Sequence, residues 1–204
     1  SMSYSSSEIT KLEYAKTLSA ALSYLMLKQQ DAVGLTLFDS KIRTSIAPKS
    51  KPNHINSLFK IMENIEPGPD TKIGQILHTS AELIKKRGLI IIISDFFDDL
   101  DSIISGIKHY RYKGHDVILF HIMDEQELQL DFNERTQFID LETNQSITTD
   151  PWHIKKDYQI KIQEFCNDLK FNCRQNKVDY TLLNTNTPIE EALFDYLLKR
   201  RNIL

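Results

Sequence analysis

The sequence predicts an α/β fold with a mostly parallel sheet, an antiparallel hairpin at its edge, and helices on both faces. Two apolar runs, "LIIIIS" at 89–94 and "DVILFHI" at 116–122, have the continuous hydrophobicity of strands buried on both faces of a parallel sheet. A helical pattern over 101–113 separates them and ends at Gly114, a residue type that commonly terminates helices. This alternation of strand and helix is typical of a parallel sheet with right-handed crossovers.

The N-terminal part is predicted to contain a long helix followed by the edge hairpin. Ser5 and Glu8 have the spacing of a capping box, and apolar residues recur behind them with helical period, which predicts a helix over 8–29. Two short runs rich in β-forming residues then flank a tight turn, as in a hairpin. These runs are "AVGLTLF" at 32–38 and "KIRTSIA" at 41–47, joined through Asp39 and Ser40.

The other elements follow from the same patterns. A helix is predicted over 52–64, and apolar residues at helical spacing predict another over 73–84. Helix-start residues predict helices over 151–176, after Asp150, and over 188–203, after Thr187. A polar stretch with a turn at 142–145 predicts a second hairpin within "RTQFIDLETNQSITTD". A final strand is predicted in "VDYTLLN".

Composition favours a soluble cytoplasmic protein with a single domain over 1–204. The 204 residues are 41% hydrophobic, enough for one sizeable core. A net charge of −3 argues against a nucleic-acid surface, and no apolar run reaches the roughly eighteen residues of a membrane span. Cys166 and Cys173 lie seven apart in a predicted helix, too distant for an easy disulfide, so free thiols in a reducing compartment are expected.

Asp95 is the main candidate for chemistry because it directly follows a buried strand. Ligands of open α/β sheets bind where the strands end at their carboxyl edge. Three interpretations of the acidic stretch remain open: a helix cap, a phosphoryl-accepting aspartate, or a ligand of a cation such as Mg²⁺. A cation would need about six oxygens, so the serines of "SMSYSS" and Thr71 in "PGPDT" would have to contribute. The acids beyond Asp95 are expected to cap the next helix and complement its dipole; they are Asp98, Asp99 and Asp101.

Other polar motifs have simpler interpretations. The histidines of the segment around "YKGHD" lack zinc-like spacing to cysteines or acids, so we expect core or surface residues; they are His109, His115 and His121. "DEQE" at 124–127 follows a strand and is expected to cap a short turn. No phosphate-binding glycine loop or nucleophile elbow occurs, so no catalytic residue is predicted.

Several of these motifs occur together in one known family. The order of "SM" and a lysine-bearing helix, "DAVGLTLF", "PGPDT", "IIIISDFFDD", "YKGHDVILFHIMDEQE" and "FIDLET" resembles the bacterial family catalogued as domain of unknown function 58. That family is von Willebrand factor A-like and is similar to integrin inserted domains. The resemblance implies a Rossmann-like sheet and a metal ion-dependent adhesion site.

The resemblance also implies a ligand set for Mg²⁺. Ser1 matches the last serine of the family's Asp-x-Ser-x-Ser-Met motif, Thr71 matches the threonine of the second loop, and Asp95 matches the aspartate of the third. The first aspartate, the first serine and the central strand that carries them have no counterpart in this sequence. We therefore expect weak or no metal binding and a gap in the sheet, which another segment or a second copy of the chain could fill to form a homo-oligomer.

The function implied is protein binding without turnover. In such a site a carboxylate of a partner completes the coordination of the metal, so metal and partner bind together. The family's members resemble companions of MoxR-type AAA+ ATPases in assembling or maturing other proteins. Two alternatives are a metal-free structural scaffold and a Mg²⁺-dependent phosphoryl-transfer enzyme that uses Asp95.

Overall fold

The computed structural model describes residues 2–66, 68, 72–130, 136–139, 146–149 and 151–201. These residues form the predicted helices and strands, plus a one-turn helix at "EQELQ". In chain order they are α1 (Lys11–Lys28), β1 (Val33–Phe38), β2 (Ile42–Lys49), α2 (His54–Glu63), α3 (Ile73–Leu83), β3 (Leu89–Ser94), α4 (Leu100–Tyr112), β4 (Asp116–Met123), α5 (Glu125–Gln129), β5 (Thr136–Ile139), β6 (Ser146–Thr149), α6 (Pro151–Gln175), β7 (Asp179–Asn184) and α7 (Ile189–Arg201).

The largest sheet is parallel and has the order β3-β4-β7. Its register runs from Leu89 opposite Asp116 to Ser94 opposite His121, with β7 on the other side of β4. The predicted parallel arrangement of the two apolar strands is therefore confirmed, and β4 is the central strand.

Helices cover both faces of this sheet, as predicted. Because side chains alternate along a strand, Ile91 and Ile93 pack with α1 and α7 on one face. Ile90 and Ile92 pack on the other face with α3, α4 and α6. Cys166 and Cys173 lie in α6 as buried free thiols. Among the described residues, none of the helices is long and apolar enough to cross a membrane.

The hairpin of β1 and β2 is antiparallel, but it forms a two-stranded sheet of its own. The prediction of one sheet with the hairpin at its edge is therefore wrong for the part of the chain that the structure describes. β1 and β3 both contact α1 but are not hydrogen-bonded to each other, which agrees with the expected gap in the sheet. That a second copy of the chain fills the gap and forms a homo-oligomer stays a prediction.

The second hairpin, of β5 and β6, is confirmed, and its predicted turn at 142–145 lies outside the described residues.

The start of α1 differs from the prediction and matters for the site. Thr10 is the N-cap and forms a capping box with Glu13: its hydroxyl accepts from Glu13 N–H at 3.1 Å, and the Glu13 carboxylate accepts from Thr10 N–H at 3.0 Å. Ser5 instead donates to the Ile9 carbonyl at 3.0 Å. The helix therefore begins at Lys11, three residues later than predicted, and Lys11 lies in its first turn.

Candidate binding site

The carboxyl edge of the parallel sheet brings two buried aspartates together with the start of α1. Asp95 directly follows β3 and Asp124 directly follows β4, and the two strands are neighbours in the sheet. Parallel strands end at the same edge, so both carboxylates lie there. Asp95 is 4% exposed and Asp124 is fully buried.

The side chain of Lys11 lies between two carboxylates at this edge. Its Nζ is 3.0 Å from Asp95 Oδ2 and 2.6 Å from Glu127 Oε1, and the lysine is completely buried. The same nitrogen lies 5.1 Å from the centroid of the Phe97 ring, within the range of a cation–π contact. Since an unpaired ammonium is very costly to bury, the two carboxylates are what hold Lys11 inside.

Glu127 is oriented by the helix cap of α5. Its Oε2 accepts from Asp124 N–H at 3.0 Å, while Asp124 Oδ1 accepts from Gln126 N–H at 2.9 Å. The expectation that "DEQE" caps a short turn is therefore confirmed. Burial raises the pKa of Glu127, and the neighbouring Lys11 ammonium opposes that effect.

Asp124 also fixes the segment that precedes α1. Its Oδ2 accepts from Ser6 N–H at 2.9 Å, and its Oδ1 accepts from the Ser6 hydroxyl at 2.5 Å. The Thr185 hydroxyl, which follows β7, donates to Asp124 at 3.4 Å. The segment before α1 is thus tied to the ends of β4 and β7.

The turn after β3 is strained and presents an aromatic ring to solvent. Phe96 has φ 51°, an uncommon conformation for a bulky residue, and its side chain is completely buried. Its N–H donates to Ser94 Oγ at 3.1 Å, and its carbonyl accepts from Asp98 N–H at 2.8 Å. Phe97 is left 40% exposed beside the Lys11 ion pairs. Buried hydrogen bonds and the packing of Phe96 therefore hold the backbone of the turn that carries Phe97.

His121 lies in the core behind the site. Its Nδ1 is 2.8 Å from the Tyr180 hydroxyl, and its ring contacts Phe96 edge-on at 5.5 Å between centroids. Burial lowers the pKa of His121 to about 4, although the Asp95 carboxylate acts in the opposite direction. At neutral pH the imidazole is therefore uncharged. It lies within a buried strand, in line with the expectation of a core histidine.

Of the predicted metal ligands, the structure describes only Asp95; Ser1 and Thr71 lie outside the described residues. Among described residues there is no group of three or more histidine, cysteine, aspartate or glutamate side chains arranged to hold a metal. Asp95 Oδ2 is already bound by the Lys11 ammonium, which would repel a divalent ion. Asp95, the described member of the predicted ligand set, is thus paired with an ammonium.

Of the acids beyond Asp95, two lie at the start of α4 as expected, whereas Asp98 bonds to α3 instead. Asp99 is the N-cap of α4 and accepts from Ser102 N–H at 2.9 Å, while Asp101 lies in the first turn. Asp98 accepts from Gly74 N–H at 3.2 Å, which links the start of α3 to the start of α4.

Sequence reasoning missed three members of the site, namely Lys11, Asp124 and Glu127. One signal was available for Asp124, because it follows β4 as Asp95 follows β3. Glu127 has capping-box spacing to Asp124, so its position in the sequence indicated a helix cap and not a binding site. For Lys11 the signal was only the lysine-bearing helix of the family resemblance, which does not separate Lys11 from the other lysines of α1, because a lysine near a helix start is normally a surface residue.

Two solved structures share the fold of this chain. The crystal structure of the conserved hypothetical protein BatB from Bacteroides thetaiotaomicron has a TM-score of 0.63 and 16% identity, covering 99% of this chain and 94% of that one. An aerotolerance-related membrane protein from Bacteroides fragilis NCTC 9343, with multiple mutations to serines, has a TM-score of 0.64 and 16% identity, covering 98% and 94%.

A search of curated proteins gave no match. A family model matches residues 1–164, most of the chain, and agrees with the resemblance that the motifs indicated. The chain therefore belongs to the family described as protein of unknown function DUF58.

Proposed function

We propose that this chain is a protein-binding domain of the von Willebrand factor A type, which engages a partner at the carboxyl edge of β3 and β4 and catalyses no reaction. The observation that carries the proposal is the exposed Phe97 ring, held on a strained turn over the buried Lys11–Asp95 ion pair. Aromatic residues fixed in this way are typical anchors of protein interfaces, because they bury a large area with little loss of side-chain freedom.

The surroundings of Phe97 suit a partner with a basic rim. Asp99 and Asp101 are exposed on the same turn and the following helix start. Charges at the rim of an interface guide association and select the partner more than they add affinity. From the family resemblance, we propose a MoxR-type AAA+ ATPase as the partner and the assembly or maturation of other proteins as the process.

Replacing Phe97 with alanine is expected to weaken partner binding by at least tenfold, since loss of an aromatic anchor typically costs about 2 kcal/mol or more. The measurement is biolayer interferometry between the chain and a MoxR-type ATPase of the same organism. Tyr112→Ala is the matched control: this tyrosine is 91% exposed at the other end of α4. It is about 18 Å along the helix from the site. Equal affinities for the two variants would contradict a binding surface at Phe97.

We further propose that the Lys11 ammonium takes the place of a metal ion at this edge, so that partner binding is independent of Mg²⁺. The single positive charge of the ammonium is paired with both the Asp95 and the Glu127 carboxylate and offsets part of their negative charge. Calorimetric titration of the wild-type chain with Mg²⁺ and Mn²⁺ is expected to show no saturable binding, with Asp95→Ala as the comparison. Saturable Mg²⁺ binding that is lost in Asp95→Ala would favour the adhesion-type metal site instead.

The phosphoryl-transfer alternative predicts turnover of a phosphorylated substrate, whereas the binding module predicts none. It requires Asp95 to act as a nucleophile, whereas Asp95 Oδ2 is held by Lys11 in a site where the carboxylate is 4% exposed. A phosphatase assay on a generic substrate separates the two functions. Turnover that Asp95→Asn abolishes would establish the enzyme.

A further inference from the structure

Helices α3 and α4 approach each other unusually closely because glycines lie at their contact. A Cβ atom on Gly106 would lie 2.6 Å from Leu77 Cβ, and one on Gly74 would lie 2.7 Å from the Ser102 backbone carbon. Real Cβ atoms do not pack at such distances, so larger residues would push the helices apart. The close approach brings residues one turn further along the two helices into direct contact.

Two histidines meet at this contact, one from each helix. His78 lies four residues after Gly74 and His109 three residues after Gly106, so each shares a helix face with its glycine. Their Nδ1 atoms are 3.1 Å apart, and their ring centroids are 5.2 Å apart. Both histidines are partly exposed, so the pair is accessible from solvent.

The outer nitrogen of each ring is held by an oxygen. His109 Nε2 lies 2.7 Å from Glu82 Oε1, and His78 Nε2 lies 3.2 Å from Ser105 Oγ. Lys113 holds the other oxygen of Glu82 at 3.1 Å and lowers the pKa of that carboxyl group. Glu82 is therefore a carboxylate, which only accepts hydrogen bonds.

These contacts fix the proton of His109. Because Glu82 accepts from Nε2, the proton of the neutral ring lies on Nε2, and the lone pair of Nδ1 faces His78. The Ser105 hydroxyl can either donate to His78 Nε2 or accept from it. When it donates, His78 Nδ1 carries the proton and donates to His109 Nδ1; when it accepts, two lone pairs face each other at 3.1 Å, ready to bind a shared cation.

We propose that His78 and His109 bind a divalent transition-metal ion of the zinc class between their Nδ1 atoms, with water in the remaining positions. At zinc–nitrogen distances of about 2.0–2.1 Å, two ligand nitrogens lie about 2.9 Å apart at a right angle and about 3.3 Å apart in a tetrahedron. The observed 3.1 Å lies between these values. Imidazole nitrogens suit zinc, nickel and copper, whereas Mg²⁺ prefers oxygen ligands.

Glu82 and Ser105 act as outer partners in this site. Histidines that bind metals almost always donate their other N–H to a carboxylate or another oxygen, which orients the ring and raises its basicity. The bound ion would link α3 to α4 across their packed faces. Its position is distinct from Asp95, so the proposal stands independently of the proposed protein-binding function.

The test is calorimetric titration of the purified chain with Zn²⁺, together with the absorption spectrum of the Co²⁺-loaded chain. We expect saturable binding of one ion, with His78→Gln and His109→Gln each weakening it by at least tenfold. Glu82→Gln is expected to weaken it by about tenfold, the lower end of the effect of losing an outer carboxylate partner. Lys108→Gln, an exposed change next to His109, is the matched control and is expected to bind as the wild type does.

Circular dichroism of each variant establishes that it is folded, and excess Mg²⁺ in the titration is expected to leave Zn²⁺ affinity unchanged. Absence of Zn²⁺ binding to the folded wild type would overturn the proposal and leave a direct hydrogen bond between the two rings. Binding that persists unchanged in the double variant His78→Gln/His109→Gln would also overturn it, because the ion would then lie elsewhere.

Discussion

Replacing Lys11 with methionine is expected to lower the free energy of unfolding by about 3–5 kcal/mol, the usual effect of removing one partner from a buried ion pair. Methionine keeps most of the volume of the lysine stem, so little of the loss would come from a cavity. The cause is electrostatic: Asp95 and Glu127 both lie within hydrogen-bonding distance of the same nitrogen. Without the ammonium, two carboxylates face each other in a buried site with no compensating charge.

Urea unfolding at pH 7 measures this effect, with Lys108→Met as the control. Lys108 is exposed on α4, so its loss should change stability by less than about 0.5 kcal/mol. The triple variant Lys11→Met/Asp95→Asn/Glu127→Gln is expected to recover much of the stability, because it removes the unpaired charges together with the ammonium. A loss below about 1 kcal/mol in Lys11→Met would show that the ion pairs are replaceable by water.

Most of the fold could be predicted because its signals are local. The apolar runs of β3 and β4 and the apolar faces of α2, α3, α4 and α6 each depend on a repeat within one segment, and their ends lie within two residues of the prediction. The start of α1 was misplaced because Ser5 and Glu8 have the same capping-box spacing as Thr10 and Glu13. Only the hydrogen bonds of the folded chain distinguish the two.

The candidate site was predictable only in part, because most of its contacts join residues that are far apart in the chain. Asp95 could be placed because its position after a buried strand is itself a local signal. Its partner Lys11 is 84 residues away in the chain, and Glu127 is 116 residues from Lys11. His78 and His109 are 31 residues apart on different helices, so no motif spacing indicates that they meet. Contacts of this kind arise from helix packing, which the sequence pattern does not specify.

The stability of this protein is expected to fall by about 2–3 kcal/mol between pH 7 and pH 4.5 through His121 alone. Burial lowers the pKa of this histidine from 6.5 to about 4, so between these values the unfolded chain binds a proton that the folded chain excludes. Protons therefore favour unfolding across this window. The contribution of His121 is fully present above about pH 6.5 and is lost as the pH falls towards 4.

The variant His121→Gln isolates this contribution, because glutamine does not titrate but can still bond to the Tyr180 hydroxyl. Glu127 acts in the opposite direction: its pKa is raised, so its contribution is present at low pH and is lost as the pH rises. Since Glu127 is the same in both proteins, its effect cancels when urea unfolding of wild type and variant is compared at the two pH values. A wild-type loss no larger than that of His121→Gln would mean that the imidazole takes up its proton without unfolding. That result would require the nearby Asp95 carboxylate to offset the effect of burial on the pKa of His121. It would then follow that the Lys11 ammonium does not fully screen the charge of Asp95 from His121.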